Sequence, residues 1–163
     1  MSTFVVPYRP DGKSRLGDPE IAYAMLQDVC AACAPLGYVL VCDQPGGQRE
    51  AVAETLAEMI GPVVIVNSDV PCVTSEELAE LEAAAPALVA AQDGTTNALA
   101  LRDAREFLPL YGPGSATNFE EVLGAQRLLL AGLRNDVDTP ADLLRVAARV
   151  GPFTRQLLEA RAA

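Results

Sequence analysis

Three cationic side chains follow the first apolar run of the chain in quick succession. Arg9, Lys13 and Arg15 lie within residues 6–16, V-P-Y-R-P-D-G-K-S-R-L, with one acid, Asp11, among them. Arginine occurs 11 times in the chain, whereas Lys13 is its only lysine. Cations between a strand and a helix, where backbone N–H groups are also free, suit a phosphate. The pattern therefore predicts a loop that binds the phosphates of a nucleotide; a solvated turn with a few charges is the alternative.

The loop ends in Gly-Lys-Ser but departs from the P-loop pattern. In G-x-x-x-x-G-K-[ST] the first glycine would fall at position 7, which is Pro7 in this chain. Pro7 and Pro10 also lack the N–H group that a phosphate cradle uses. We therefore expect an anion-binding loop that is not an ordinary P-loop.

Carboxylates stand where later strands are expected to end. Asp69 follows the apolar run 63–66 in N-S-D-V-P, and Asp136 and Asp138 lie in N-D-V-D-T-P. Converging carboxylates repel one another unless a cation lies between them. Mg²⁺ binds one or two carboxylates and leaves its other positions to water and phosphate oxygens. We predict a Mg²⁺ site at these aspartates; helix capping is the alternative, strongest for Asp138 beside Thr139.

Glycine-rich turns supply further candidate ligand contacts. Gly46-Gly47-Gln48 precedes a helix, and there Gly47 allows close approach to a nucleotide while Gln48 is placed to read a base edge or a sugar. D-G-T-T-N (93–97) and Y-G-P-G-S (111–115) add hydroxyls and N–H groups for a second anion. Each is also typical of an ordinary turn. Residues and spacing alone thus indicate a metal-dependent, nucleotide-handling domain, and a glycosyltransferase would use the same parts.

Alternating strands and helices must position these residues. Strands are predicted at 2–6, 38–42, 63–66, 87–91 and 97–101, and helices at 19–34, 48–60, 118–131 and 152–161. Two more helices are predicted to start at Thr74, with a capping box to Glu77, and at Thr139, followed by Pro140. We expect residues 1–163 to form a single α/β domain, with a mostly parallel sheet and helices on both faces. In such folds the site lies beyond the carboxyl ends of the strands.

Composition excludes several classes of function. The net charge is −10, which argues against nucleic acid as a partner. The chain has no histidine, which argues against catalysis by a Ser–His pair. A zinc site is also disfavoured, because histidine ligands are absent and the Cys30–Cys33 pair lies in an apolar helical run. No apolar run reaches membrane-spanning length and the N-terminus is unlike a signal peptide, so we expect a cytoplasmic protein with reduced cysteines and no membrane partner.

Five stretches in order carry a resemblance to a known family. They are V-P-Y-R-P-D-G-K-S-R-L, N-S-D-V-P-C-V-T-S-E-E-L, D-G-T-T-N-A-L-A-L, Y-G-P-G-S and G-L-R-N-D-V-D-T-P-A-D-L. Together they resemble the 2-phospho-L-lactate or phosphoenolpyruvate guanylyltransferases of deazaflavin coenzyme biosynthesis, which are related to the molybdenum-cofactor nucleotidyltransferases. The stretches cover residues 4–143, and V-G-P-F-T-R-Q-L-L near the end also fits.

The resemblance implies a Rossmann-like nucleotidyltransferase fold, an activity and residue roles. The activity joins GTP to phosphoenolpyruvate, 2-phospho-L-lactate or 3-phosphoglycerate, releases pyrophosphate, and passes the product to the next enzyme of the pathway. The implied roles are the triphosphate for Lys13 and Arg15, Mg²⁺ for Asp69 and Asp136, and the acid for Thr96, Gly112 and Ser115. We expect Asp138 to support the metal site. Lys13, Arg15 and Asp69 are then the catalytic residues, and Arg9, Gly47 and Gln48 complete the nucleotide site.

Departures from the family pattern keep alternatives open. P-G-G-Q-R-E-A-V-A replaces the usual acidic loop and resembles the base-binding turn of the molybdenum-cofactor relatives, so CTP stays open beside GTP. G-T-G-T-N is shortened to G-T-T-N, so another acceptor stays open as well. A glycosyltransferase of similar fold and a nucleotide-binding subunit without turnover are the other readings. Sheet edges in short α/β domains often pair, which adds a homodimer to the partners considered.

Overall fold

The fold is built on one six-stranded sheet. A computed structural model of the chain describes residues 1–10, 15–43 and 46–163. The strands are β1 (Ser2–Pro7), β2 (Gly37–Cys42), β3 (Val63–Val66), β4 (Ala87–Ala90), β5 (Thr96–Leu101) and β6 (Gln126–Arg127), in the order β2-β1-β3-β5-β4-β6. Strand β5 pairs antiparallel with β3 and β4, and the other three neighbouring pairs are parallel. The prediction of a mostly parallel α/β sheet is confirmed.

Helices cover both faces of this sheet, as the sequence predicts. The helices are α1 (Pro19–Cys33), α2 (Gln48–Leu56), α3 (Ser75–Ala83), α4 (Ser115–Leu123), α5 (Ala131–Arg134), α6 (Pro140–Val146) and α7 (Pro152–Ala162), with a 3₁₀ turn at Ala104–Glu106. Apolar side chains of α1, α3 and α5 pack on one face, and those of α2 and α4 pack on the other. Helices α6 and α7 pack against α1 in a further apolar cluster. None of the helices in the described ranges is both long and apolar enough to cross a membrane.

Local sequence signals set most element boundaries correctly. The four side chains of β3 are all buried, which matches the prediction of a central strand without alternation. The capping boxes of Thr74 with Glu77 and of Thr139 with Asp142 both form. The helix predicted over 48–60 is too long, however, because α2 ends at Leu56 and Ala57 is its C-cap.

The helix predicted over 118–131 is wrong. Helix α4 ends at Leu123 because Gly124 takes a left-handed conformation (φ 66°) and caps it. The chain then forms the short edge strand β6 and the separate helix α5. At the other end of α4 the N-cap is Gly114, also left-handed, and Ser115 is the first helical residue.

One edge of the sheet gathers the loops that carry polar residues. Strands β1, β2, β3 and β4 end at this edge, and the antiparallel strand β5 begins there at Thr96. A backbone hydrogen bond of 2.9 Å from the N–H of Val137 to the carbonyl of Asp69 ties the loop before α6 to the loop after β3. The topology therefore brings residues that are far apart in the sequence to one place.

Candidate metal and nucleotide site

Three carboxylates converge at this edge of the sheet. One oxygen each of Asp69, Asp136 and Asp138 lie within 4.8 Å of one another. Asp69 is buried, and the two others are partly buried. Oxygen donors at this spacing are the ligands that Mg²⁺ prefers, so the donor set fits the predicted metal. The structure thus brings the three predicted residues together, and their role as metal ligands stays a prediction.

The electrostatics of the cluster favour a proton or a cation among the carboxylates. Burial raises the pKa of Asp136 to about 6, and the neighbouring Asp69 and Asp138 act in the same direction. A hydrogen bond of 3.1 Å from the Asn97 side-chain amide to Asp136 Oδ1 opposes this rise. A divalent cation would replace the proton and remove the mutual repulsion.

Arg15 is one of the predicted phosphate-binding cations, and it borders the carboxylate cluster. Its guanidinium Nη2 lies 3.9 Å from Asp138 Oδ2, and the side chain is largely exposed. Arg15 also contributes to the lowered pKa of Asp93, whose main cause is a hydrogen bond from the Thr95 side chain. Arg9 is exposed and lines a pocket together with Asp69. Lys13, the third predicted cation, lies outside the described residues.

A pocket of about 170 Å³ opens beside the cluster, over the ends of β1, β2 and β3. It holds two of the predicted nucleotide residues, Arg9 and Gln48, together with the predicted metal ligand Asp69. Its other lining residues are Pro7, Tyr8, Ala22, Met25, Cys42, Ala51, Asn67 and Ser68. The mixture of apolar side chains with a few polar groups is typical of small-ligand sites. Gly47 lies beside this pocket as the N-cap of α2.

The residues predicted to hold the acid lie together near the start of β5 and α4. The hydroxyls of Thr96 and Ser115 are buried and hydrogen-bonded to each other at 2.9 Å. Ser115 donates its backbone N–H to the carbonyl of Gly112, at 3.0 Å. Gly112 has φ 130°, a conformation that side chains disfavour. The structure thus groups Thr96, Gly112 and Ser115 as the sequence predicted, and their contact with an acid stays a prediction.

Sequence reasoning missed Arg49 and two asparagines. Arg49, in the first turn of α2, donates a 2.7 Å hydrogen bond from Nη2 to the carbonyl of Tyr111 and so meets the loop of Gly112. Asn67 and Asn97 lie between Gln48 and Asp136. Arg49 directly follows Gln48, and Asn67 opens N-S-D-V-P, so both stood within stretches already singled out. Nothing in the spacing showed which side chains they would contact.

Curated proteins similar to this chain are named as guanylyltransferases, and no family model matches it. It is 35% identical to a phosphoenolpyruvate guanylyltransferase of Mycolicibacterium gilvum (strain PYR-GCK), matching 75% of this chain and 63% of the relative. It is 32% identical to one of Streptomyces coelicolor, matching 93% of both chains. A 2-phospho-L-lactate guanylyltransferase of Methanothrix thermoacetophila is 26% identical, over 95% of this chain and 87% of the relative. The chain spans less than two thirds of the length of three relatives, 63%, 46% and 61%.

Solved structures confirm the type of fold. A Desulfovibrio desulfuricans G20 structure, named as that of a nucleotide-diphospho-sugar transferase, aligns with a TM-score of 0.72 at 18% identity, over 99% of this chain and 95% of its own. A CMP:2-keto-3-deoxy-manno-octonic acid synthetase structure with CTP aligns with a TM-score of 0.53 at 13% identity, over 90% and 97%. At these identities the comparison supports a nucleotidyltransferase-like fold and carries nothing further.

Proposed function

The chain belongs to the family of phosphoenolpyruvate and 2-phospho-L-lactate guanylyltransferases, and from that premise we propose that it is itself a Mg²⁺-dependent guanylyltransferase. It joins GTP to a phosphorylated three-carbon acid, releases pyrophosphate, and hands its product on within deazaflavin coenzyme biosynthesis. The observation that carries the proposal is the meeting of Asp69, Asp136 and Asp138 beside a pocket that combines apolar side chains with a few polar groups. Family membership and site geometry thus support the same chemistry.

The reaction is a displacement at the α-phosphorus of GTP. A phosphate oxygen of the acid forms a new P–O bond there, and the bond to the bridging oxygen of the β-phosphate breaks, so pyrophosphate leaves with that electron pair. The attacking phosphate is already ionised near neutral pH, so no general base is needed, and the absence of histidine is no obstacle. The barrier is mainly electrostatic, because two anions must meet and charge builds on the leaving group.

The residues of the site divide this electrostatic task. Asp69, Asp136 and Asp138 would hold Mg²⁺, which when bound neutralises phosphate charge. Lys13 and Arg15 contact the β- and γ-phosphates in this proposal, and Arg9 and Gly47 support the nucleotide. Thr96, Ser115 and the N–H of Gly112 orient the acid. The Thr96–Ser115 hydrogen bond supports that role, since it fixes both hydroxyls next to the loop of Gly112.

Mass spectrometry of the product tests this proposal. Purified protein is incubated with Mg²⁺ and GTP, and separately with CTP, together with phosphoenolpyruvate, 2-phospho-L-lactate or 3-phosphoglycerate. We expect the mass of a guanylylated acid with at least one of the three. A cytidylylated acid would replace the donor in the proposal, and no adduct with any acid from either nucleotide would overturn it. Asp69→Asn, run in parallel, should give no adduct.

A further inference from the structure

We propose that Asn67 and Asn97 are positioning residues that fix the side-chain amide of Gln48, and that this fixed amide selects the nucleotide base. The three residues form an amide chain, Asn97–Asn67–Gln48, that starts at Asp136 of the carboxylate cluster and ends in the pocket. The inference rests on the proposed function for the identity of the preferred base.

Backbone carbonyls set the direction of this amide chain at its inner end. Asn97 is 2% exposed, and its amide nitrogen donates to the carbonyl of Leu133 at 3.0 Å and to Asp136 Oδ1 at 3.1 Å. A carbonyl can only accept, so the amide nitrogen of Asn97 must face Leu133. Its Oδ1 therefore faces Asn67.

The same constraint passes from Asn67 to Gln48. The amide nitrogen of Asn67 donates to the carbonyl of Thr96 at 3.1 Å and to Asn97 Oδ1 at 3.5 Å. With both hydrogens used, Asn67 presents only its Oδ1 to the pocket side. Gln48 meets this oxygen with Nε2 at 2.5 Å, so the Gln48 amide cannot turn over without placing two oxygens against each other.

A fixed amide separates two classes of base. Guanine carries an acceptor, O6, next to a donor, N1–H, on its pairing edge. Adenine and cytosine carry an amino donor next to a ring-nitrogen acceptor, in the opposite order. A Gln48 amide free to turn over would pair with either class, whereas an amide of one orientation pairs with one and leaves unmatched groups against the other. The amide chain thus provides a physical basis for preferring one of the two base classes, and under the proposed function that class is guanine.

Calorimetric binding of GTP, ATP and CTP in the presence of Mg²⁺ tests this inference without requiring turnover. The variants are Asn67→Ala, Gln48→Ala and the double substitution. We expect each single variant to reduce the preference between the base classes by about ten-fold, the scale of one misdirected hydrogen bond. The double variant should lose no more of the base preference than either single variant, because both substitutions break the same hydrogen bond between Asn67 and Gln48.

Controls separate base selection from general damage. Asn118→Ala, on the exposed face of α4, should keep the wild-type preference and the wild-type affinities. If Asn67→Ala does not fold, as judged by circular dichroism, Asn67→Ser replaces it, since a hydroxyl at that position is too short to hold Gln48.

Three outcomes would overturn the inference. They are a wild-type protein that binds the three nucleotides equally, an Asn67 variant with unchanged preference, and single effects that add in the double variant. A failure of the proposed function is distinct from these. If the base preference depends on Asn67 and Gln48 but no acid yields an adduct, the amide chain stands and guanylyl transfer does not.

Discussion

At the scale of single residues, the site depends on how Asp69 is held. It follows β3, a fully buried strand of the sheet, after Asn67 and Ser68, and its backbone carbonyl accepts the N–H of Val137. The loop that carries Asp136 and Asp138 is thereby fixed relative to Asp69. The carboxylates are therefore positioned by main-chain structure, and substituting one side chain should change the charge of the cluster without moving it.

Asp69→Asn should abolish turnover while leaving the fold intact. Mutating a group that only orients a metal ligand typically lowers activity by about 10–100-fold, and removing the ligand itself should lower it further. We therefore expect turnover to fall by at least about 100-fold. Without Mg²⁺ the variant should unfold at a temperature no lower than the wild type, because one repelling charge is gone. Turnover assays and thermal unfolding check both points.

Asp103→Asn is the matched control for this variant. Asp103 follows β5 at the opposite end of the sheet and caps the 3₁₀ turn, far from the cluster. It should keep wild-type turnover. Near-normal turnover in Asp69→Asn would remove Asp69 from the site.

The raised pKa of Asp136 predicts a pH-dependent response to Mg²⁺. Its folded-state pKa is about 6, above the ordinary 3.8, so between pH 3.8 and about 6 the metal-free folded protein holds a proton that the unfolded chain has lost. The protonated Asp136 therefore contributes to the stability of the folded state. The contribution is fully present below pH 3.8 and is lost as the pH rises through about 6. Mg²⁺ can replace the proton only once it has left, so Mg²⁺ should raise the melting temperature more at pH 7.5 than at pH 5.

Thermal unfolding with and without Mg²⁺ at the two pH values measures this effect. Asp136→Asn should remove both the pH dependence and most of the Mg²⁺ response. An equal Mg²⁺ shift at both pH values, or an unchanged response in Asp136→Asn, would contradict the assignment of Asp136 as a ligand.

At the scale of elements, the docking of α7 depends on one buried acid of α1. Asp28 is 3% exposed, and its carboxylate accepts the N–H groups of Phe153 at 2.8 Å and of Thr154 at 3.1 Å. These groups belong to the first turn of α7, whose N-cap, Gly151, has no side chain to cap it. A Cβ on Gly151 would lie 2.5 Å from the Asp28 carboxyl group, so glycine allows the close approach.

Asp28→Ala should therefore destabilise the fold by about 2–4 kcal/mol, through the loss of charge-assisted hydrogen bonds and of buried N–H partners. Urea unfolding measures this change. Glu159→Gln, which alters an exposed acid on α7 itself, should change the free energy of unfolding by less than about 0.5 kcal/mol. Equal effects of the two substitutions would show that Asp28 does not hold α7.

Element prediction succeeded where local signals act alone. Apolar runs identified β1, β2, β3, β4 and β5. The capping box of Thr74 located α3, and Thr139 followed by Pro140 located α6. The prediction of one helix over residues 118–131 failed because the apolar residues keep helical spacing across Gly124. The left-handed conformation of Gly124 ends α4. Strand β6 is two residues long and forms only through pairing with β4, so no local pattern could reveal it.

At the scale of the whole molecule, topology explains why the site could be anticipated in part. Asp69 comes after the parallel strand β3, at the edge where the site of such a sheet is expected, so its place was predictable. Asp136 and Asp138 lie between α5 and α6 instead of after a strand, and the backbone hydrogen bond from Val137 to Asp69 that brings them to the same edge is not visible in the strand order. The antiparallel direction of β5 is a tertiary property, yet it brings Thr96 and Asn97 to the same edge. The amide chain could not be predicted, because it depends on the orientation of side chains from three separate elements.

Net charge also belongs to this scale. The chain carries a net charge of −10, and the proposed reaction brings two phosphorylated anions into its site. Such a site needs local positive charge to overcome the surrounding field. The sources proposed here are Arg9, Lys13, Arg15 and a bound Mg²⁺. Of these, Arg15 lies 3.9 Å from Asp138 of the carboxylate cluster.

Pyrophosphate release tests the central claim most directly. Purified protein is given Mg²⁺ and GTP, with and without phosphoenolpyruvate, 2-phospho-L-lactate or 3-phosphoglycerate. We predict release that depends on one of these acids and on Mg²⁺, and that is absent from Asp69→Asn. If no acid stimulates release from protein that binds GTP, the chain has the fold of its family without guanylyl transfer to these acids, and the account is contradicted.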